Sequence, residues 1–149
     1  MQDQEQYKKH SDLIWSIANL LRGPYRPPQY RRVMIPLTVM RRLDCVLEET
    51  KEQVLAMYKD LKNTTQYDDE TIEKIINKKF NLNFHNISDF TFATLQDDPD
   101  KLAANLNKYI AGFSTRARVI LEKFKFDEEI EKLDEANRLF EVIKSGSHC

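Results

Sequence analysis

Glycine is nearly absent. The chain has three in 149 residues, standing alone at Gly23, Gly112 and Gly146. That excludes a glycine-rich loop able to cradle a phosphate or a nucleoside cofactor, and it argues against a turn-rich β fold. Cysteine is equally scarce. Cys45 and Cys149 give no disulfide framework, and Cys45, inside a predicted helix, reads as a small core or boundary residue in a reducing cytoplasm. No apolar run approaches the roughly 18 residues that cross a bilayer. The polar opening MQDQEQYKKHSD is not expected to be a signal peptide. His10, His85 and His148 are scattered with no metal-ligand spacing among His and Cys, and His148–Cys149 sits in the small polar tail SGSHC.

The most informative absence is local. From Leu13 to Leu43 there is no Asp, Glu or Lys, while Arg22, Arg26, Arg31, Arg32, Arg41 and Arg42 give the stretch a charge of +6. Residues 1–12 carry −1 and the whole chain −1, so residues 44–149 carry −6. A near-neutral total hides a basic front and an acidic back, an asymmetry that suits nucleic acid or an acidic partner. The plainer alternative is a set of arginines that only solvate a helix.

At 149 residues, 41% hydrophobic and 32% charged, the chain has the material for one compact all-α domain of six or seven helices. Residues 1–10 are expected to be a flexible N-terminus. Ser11 or Asp12 can cap a first helix, with Leu13, Ile14, Ile17, Leu20 and Leu21 on its apolar stripe, and Gly23-Pro24 ends it. A second helix is predicted from near Pro28 to about Glu48. At 100° per residue Val33, Leu37, Met40, Leu43 and Leu47 share one face, with Arg31, Thr38 and Arg42 opposite and Arg32 and Arg41 on the borders. Pro36, inside this pattern, should kink the helix or mark its second start. Asp44 falls on the apolar face and needs a partner there. Arg41, three residues earlier, is the candidate for a structural ion pair.

Thr50 with Gln53 reads as a capping box for a third helix. A short helix buries Ile72, Ile75, Ile76 and Phe80, and residues 81–96 suit an irregular segment or a short hairpin. Asp98-Pro99 opens a helix to Ala111, ended by Gly112. Ser114 caps the next, with Val119, Ile120, Leu121 and Phe124, and Asp127 caps the last, carrying Ile130 to Ile143. The pairs Asp68-Asp69 and Asp97-Asp98 read as helix caps, and Asp127, Glu128, Glu129 and Glu131 as a solvated first turn. Residues 145–149, SGSHC, are expected to be a disordered tail, either an expression remnant or a true end.

The string LIWSIANLLRG…YRRVMIPLTVMRRLDCVLEETKEQV resembles the opening of the modification (M) subunit of type I restriction–modification systems. NISDFTFATLQDDPDKLAANLNKYIAGFS and FDEEIEKLDEANRLFEVIK resemble later parts of the same N-terminal helical domain, in the same order, over residues 11–144. The resemblance implies a parent adenine-N6 DNA methyltransferase that uses S-adenosylmethionine. Two M subunits would join one specificity subunit, with a restriction subunit in the full complex, in the cytoplasm and with no membrane involved. The family's glycine-rich cofactor turn and its N-P-P-[FYW] motif are missing here; Pro27-Pro28 lie in RPPQ, without the Asn and the aromatic. The chain therefore reads as a non-catalytic fragment, with no catalytic, cofactor or metal residues of its own. The six arginines are its candidate contacts to DNA, weak and sequence-independent, or to partner subunits. The alternative is a stand-alone helical protein–protein interaction module that does not bind DNA.

Overall fold

A computed structural model describes the backbone of residues 2–146 and the side chains from Ser11 onward. Among the described residues there are nine α-helices and no strand. They are α1 (Gln2–Leu21), α2 (Arg31–Leu47), α3 (Lys51–Thr64), α4 (Asp69–Phe80), α5 (Phe92–Leu95), α6 (Leu102–Ala111), α7 (Thr115–Lys123), α8 (Phe126–Glu135) and α9 (Leu139–Ser145), with 3-10 turns at Pro27–Gln29 and Pro99–Lys101. The all-α expectation holds, with more and shorter helices than the periodicity alone suggests. Helix α1 packs on α9 and α2 on α8, while α6 touches α7, α8 and α9. Their apolar faces meet in one core, of which Leu21, Leu37, Met40, Leu106, Tyr109, Ile130 and Leu133 are fully enclosed members. The α3–α4 pair holds a smaller cluster of Val54, Ile72 and Ile76.

Several helix ends differ from expectation for local reasons. Helix α1 begins at Gln2, so neither Ser11 nor Asp12 caps it. Helix α2 runs through Pro36 without interruption. Thr50 precedes α3, but its hydroxyl donates backward to the Leu47 carbonyl at 3.4 Å instead of closing a capping box. Asp68 does cap α4, accepting from the Thr71 N–H at 2.8 Å. Ser114 precedes α7, yet its Oγ accepts from the His85 N–H at 2.9 Å. The first N–H of α7, at Thr115, is taken instead by Glu73 of α4 at 2.6 Å. The single last helix expected from Asp127 is two helices. Lys125 (φ 51°) precedes α8, and Asn137 (φ 57°) turns the chain between α8 and α9.

No hairpin forms in residues 81–96. That segment is irregular, with α5 at its end and a lone bridge between Asn86 and Phe113. Buried Asn86 organises it. Its Nδ2 donates to the Tyr109 carbonyl at 2.8 Å, and its Oδ1 accepts from the Ser88 N–H at 2.8 Å and from Lys51 Nζ at 2.8 Å. Gly112 passes so close that an added Cβ would stand 2.8 Å from both Ser88 N and Ser88 Cβ, while its carbonyl accepts from the Ile87 N–H at 2.8 Å. Gly112→Ala should therefore destabilise the fold by about 1–3 kcal/mol through overpacking. Gly146→Ala should cost less, because the added Cβ would meet only the Leu37 side chain, at 3.3 Å. Urea unfolding of the two variants checks this, and equal midpoints would refute it.

The expected tail yields two residues to the fold: Ser145 closes α9 and Gly146 is buried against Leu37. The rest of it, with His148 and Cys149, lies outside the described residues. Cys45 is half-buried on α2, at the boundary of the fold as expected. No helix of the described residues is long and apolar enough to cross a membrane.

Candidate nucleic-acid and partner interface

The arginine segment is a helix, a pinned loop and a second helix. Gly23, at φ +99°, makes the turn that ends α1, a conformation L side chains rarely adopt. The Tyr25 N–H then returns to the Leu21 carbonyl at 3.0 Å. Tyr25 is the pin. Its ring is buried, its hydroxyl donates to Oε2 of buried Glu129 on α8 at 2.5 Å, and the Lys132 ammonium lies 4.2 Å from the ring centroid. Burial, reinforced by the bond to Glu129, pushes the phenol well above its usual range, so it stays a donor. Glu129 thus leaves the expected solvated acidic face and fastens the basic loop to the acidic half of the chain. Pro27–Gln29 form the 3-10 turn that leads into α2, and Gln29 Oε1 accepts from the Arg26 N–H at 3.1 Å.

This frame leaves Arg22, Arg26, Arg31, Arg32 and Arg42 exposed and Arg41 half-buried. None of the six is ion-paired to an acidic side chain among the described residues, where the ion pairs are Lys59–Asp89, Lys62–Asp69, Lys74–Glu70 and Arg118–Glu122. Arg31 and Arg42 lie on one exposed row of α2, within about 20° of each other at 100° per residue. Arg32 and Arg41 flank it. Ile35 and Val46, 49% and 58% exposed, stand in or beside this row. They lie off the apolar face that periodicity predicts for α2, on the arginine side. On α1, Trp15 is 62% exposed and Ile14 55%, so Ile14 leaves the apolar stripe expected of it. Trp15 shares its side of the helix with Arg22, seven residues on.

Asp44 does not pair with Arg41. Its Oδ1 accepts from the Tyr109 hydroxyl at 2.9 Å and, more loosely, from the Phe92 N–H at 3.4 Å. The inward face of α2 aims Asp44 at α6 and at the start of α5, whereas Arg41 stands on the helix border. Burial raises the Asp44 carboxyl, against the lowering effects of Tyr109, the Phe92 N–H and Lys51. Lys51 is half-buried beside it, and burial brings its amine down to about 8. Because the folded-state pKa of Asp44 is raised, its contribution to stability is full below the unfolded value and is lost as pH rises through the folded one. Asp44→Ala should cost about 1–3 kcal/mol by stranding the Tyr109 hydroxyl and the Phe92 N–H. Asp44→Asn keeps an acceptor and should gain on the native protein as pH climbs above the ordinary value of 3.8. Chemical denaturation between acid and neutral pH measures both. A native protein that holds or increases its stability relative to the Asn variant as pH rises would refute the assignment.

Buried His85 contacts Asn77 Oδ1 through Nδ1 at 2.7 Å, and burial lowers its pKa. No group of three or more His, Cys, Asp or Glu among the described residues could hold a metal ion. What the arrangement offers is a ridge of guanidinium groups not ion-paired among the described residues, with exposed apolar side chains beside it. Such a ridge can neutralise phosphate or meet carboxylates; it has no group placed to make or break a bond.

The family model of the HsdM N-terminal domain matches residues 11–145. No curated protein and no solved structure matches the chain.

Proposed function

The chain belongs to the HsdM N-terminal domain family, the N-terminal domains of type I restriction–modification M subunits, and from that membership we propose that it is a non-catalytic domain that supports assembly of a DNA adenine methyltransferase and its engagement of DNA. The parent enzyme would use S-adenosylmethionine, and its two M subunits would act in the cytoplasm with a specificity subunit and a restriction subunit. The observation that supports the DNA role is the exposed arginine set: six positive charges between Leu13 and Leu43, no negative one, and no ion pair among the described residues.

The contact is to phosphate and carries no sequence preference. Long, flexible guanidinium groups on a helix row meet backbone oxygens, whereas base reading needs side chains seated against base edges. The acidic remainder of the chain, −6 over residues 44–149, limits affinity by opposing the approach of DNA at long range. Exposed Trp15 and Ile14 favour the second reading, a module that binds protein alone.

Two titrations of the chain test the proposal. Calorimetry with S-adenosylmethionine should show no binding, because no glycine cluster follows a strand; stoichiometric micromolar binding would return the chain to the enzymes. Duplex DNA should bind weakly, equally well for unrelated sequences, and less as salt rises. Absence of DNA binding at low salt would leave the protein-only reading.

A further inference from the structure

We propose that the cleft between α2 and α7 is a docking site for an amphipathic helix of a partner protein, one whose apolar row is flanked by carboxylates. The cleft has a volume of about 320 Å³, and Val39 and Leu43 of α2, Phe84 of the irregular segment and Ala117 and Ile120 of α7 form its apolar lining, with Arg116 at the lip. The apolar surface continues beyond it. Ile120 on α7 is 50% exposed, and exposed Ile35 and Val46 lie one turn before Val39 and one turn after Leu43 along α2. Ile120, half in water, lines the depression itself, and exposed Ile35 and Val46 stand on the helix that forms its other wall, where scattered single exposures would be the ordinary case.

Charge selects the occupant. Arg116 and Lys123 lie on the exposed side of α7 with Val119 and Ile120, and exposed Arg42 adjoins Leu43 on α2. The acid nearest in sequence on α7, Glu122, is engaged by Arg118 at 3.8 Å. An apolar floor between cationic rims matches a helix that presents leucine-like side chains inward and carboxylates on both flanks. It does not match a phosphate backbone, because Val39, Leu43 and Ile120 offer nothing to replace the water a phosphate would give up. The inference depends on this geometry and not on the methyltransferase assignment.

The test uses the full chain and two synthetic helical peptides with the same leucine row, one flanked by glutamates and one by lysines. NMR of methyl-labelled protein should show the Val39 and Ile120 methyls shifting with the glutamate peptide. The lysine peptide should bind about tenfold more weakly or worse, a loss of about 1.4 kcal/mol. Ile120→Glu and Arg116→Glu should each weaken the glutamate peptide about tenfold as well. Both positions are solvent-facing, so circular dichroism should match the native chain. No shift with the glutamate peptide, or equal binding of both peptides, overturns the proposal. Self-association of the chain that Ile120→Glu abolishes would give the cleft to a second copy and overturn it. So would duplex DNA producing the same methyl shifts.

Discussion

Replacing Arg31, Arg32, Arg41 and Arg42 together by alanine in the assembled methyltransferase should lower its affinity for DNA at low salt by about ten- to a hundredfold, while leaving the preferred site unchanged. The direction follows from the absence of partners. These guanidinium groups are not already neutralised by acidic side chains, so they are available to release counterions from DNA. The magnitude reflects that half of them at most are expected to reach phosphate, the others flanking the row or solvating α2. Specificity should survive because the arginines meet a backbone shared by all sequences. The variant fold is protected, since Arg31, Arg32 and Arg42 are exposed and α2 is held by Val33, Leu37, Met40 and Leu47 on its other side. Intact assembly with unchanged affinity would assign the arginines to subunit contacts, and an altered site preference would contradict the division of labour.

Removal of the pin beneath this segment should have the largest effect on stability. Tyr25→Ala takes out a ring that is 4% exposed and leaves Glu129 buried without its donor. The cavity alone is expected to cost about 3–5 kcal/mol, as for other large aromatic truncations. Tyr25→Phe isolates the polar part. It keeps the ring under Lys132 and removes only the hydroxyl, so a loss of about 1–3 kcal/mol is expected from the stranded carboxylate acceptor. Tyr25→Phe,Glu129→Gln should recover part of that loss, because a neutral amide is less costly to bury than an unpaired carboxylate. Urea midpoints of the three variants provide the comparison. A Phe variant as stable as the native protein would show that the bond to Glu129 contributes nothing, and with it the argument that the basic loop is fastened to α8.

Much of this fold is legible in the sequence where the signal is periodic. The inward face of α2 is evident at Val33, Leu37, Met40 and Leu47, because burial of one helical side repeats every 3.6 residues. The same pattern puts the arginines on the outer side, and the family resemblance over residues 11–144 agrees with the match over 11–145. Pairings distant in sequence are not legible. Arg41 is the cation at the helical spacing that faces Asp44, but the partner that packing delivers is Tyr109, 65 residues away. Glu129 looks like one acid in a solvated run until Tyr25, 104 residues distant, is seen to bury with it. The break between α8 and α9 has no glycine or proline to announce it; Asn137 takes the left-handed conformation that asparagine tolerates. Val119 and Ile120 mislead in the opposite sense. Their hydrophobicity predicts burial, and their exposure, that of Ile120 at the α2–α7 cleft, is visible only once α7 is placed.

The most direct test of the DNA-engagement claim is the salt dependence of duplex binding by the assembled methyltransferase, native against the four-arginine variant. The slope of log Kobs against log salt should become shallower by about two in the variant, since each phosphate left without its arginine takes roughly 0.9 off the slope. Parallel lines would contradict the account, showing that none of these arginines neutralises phosphate when the enzyme holds DNA.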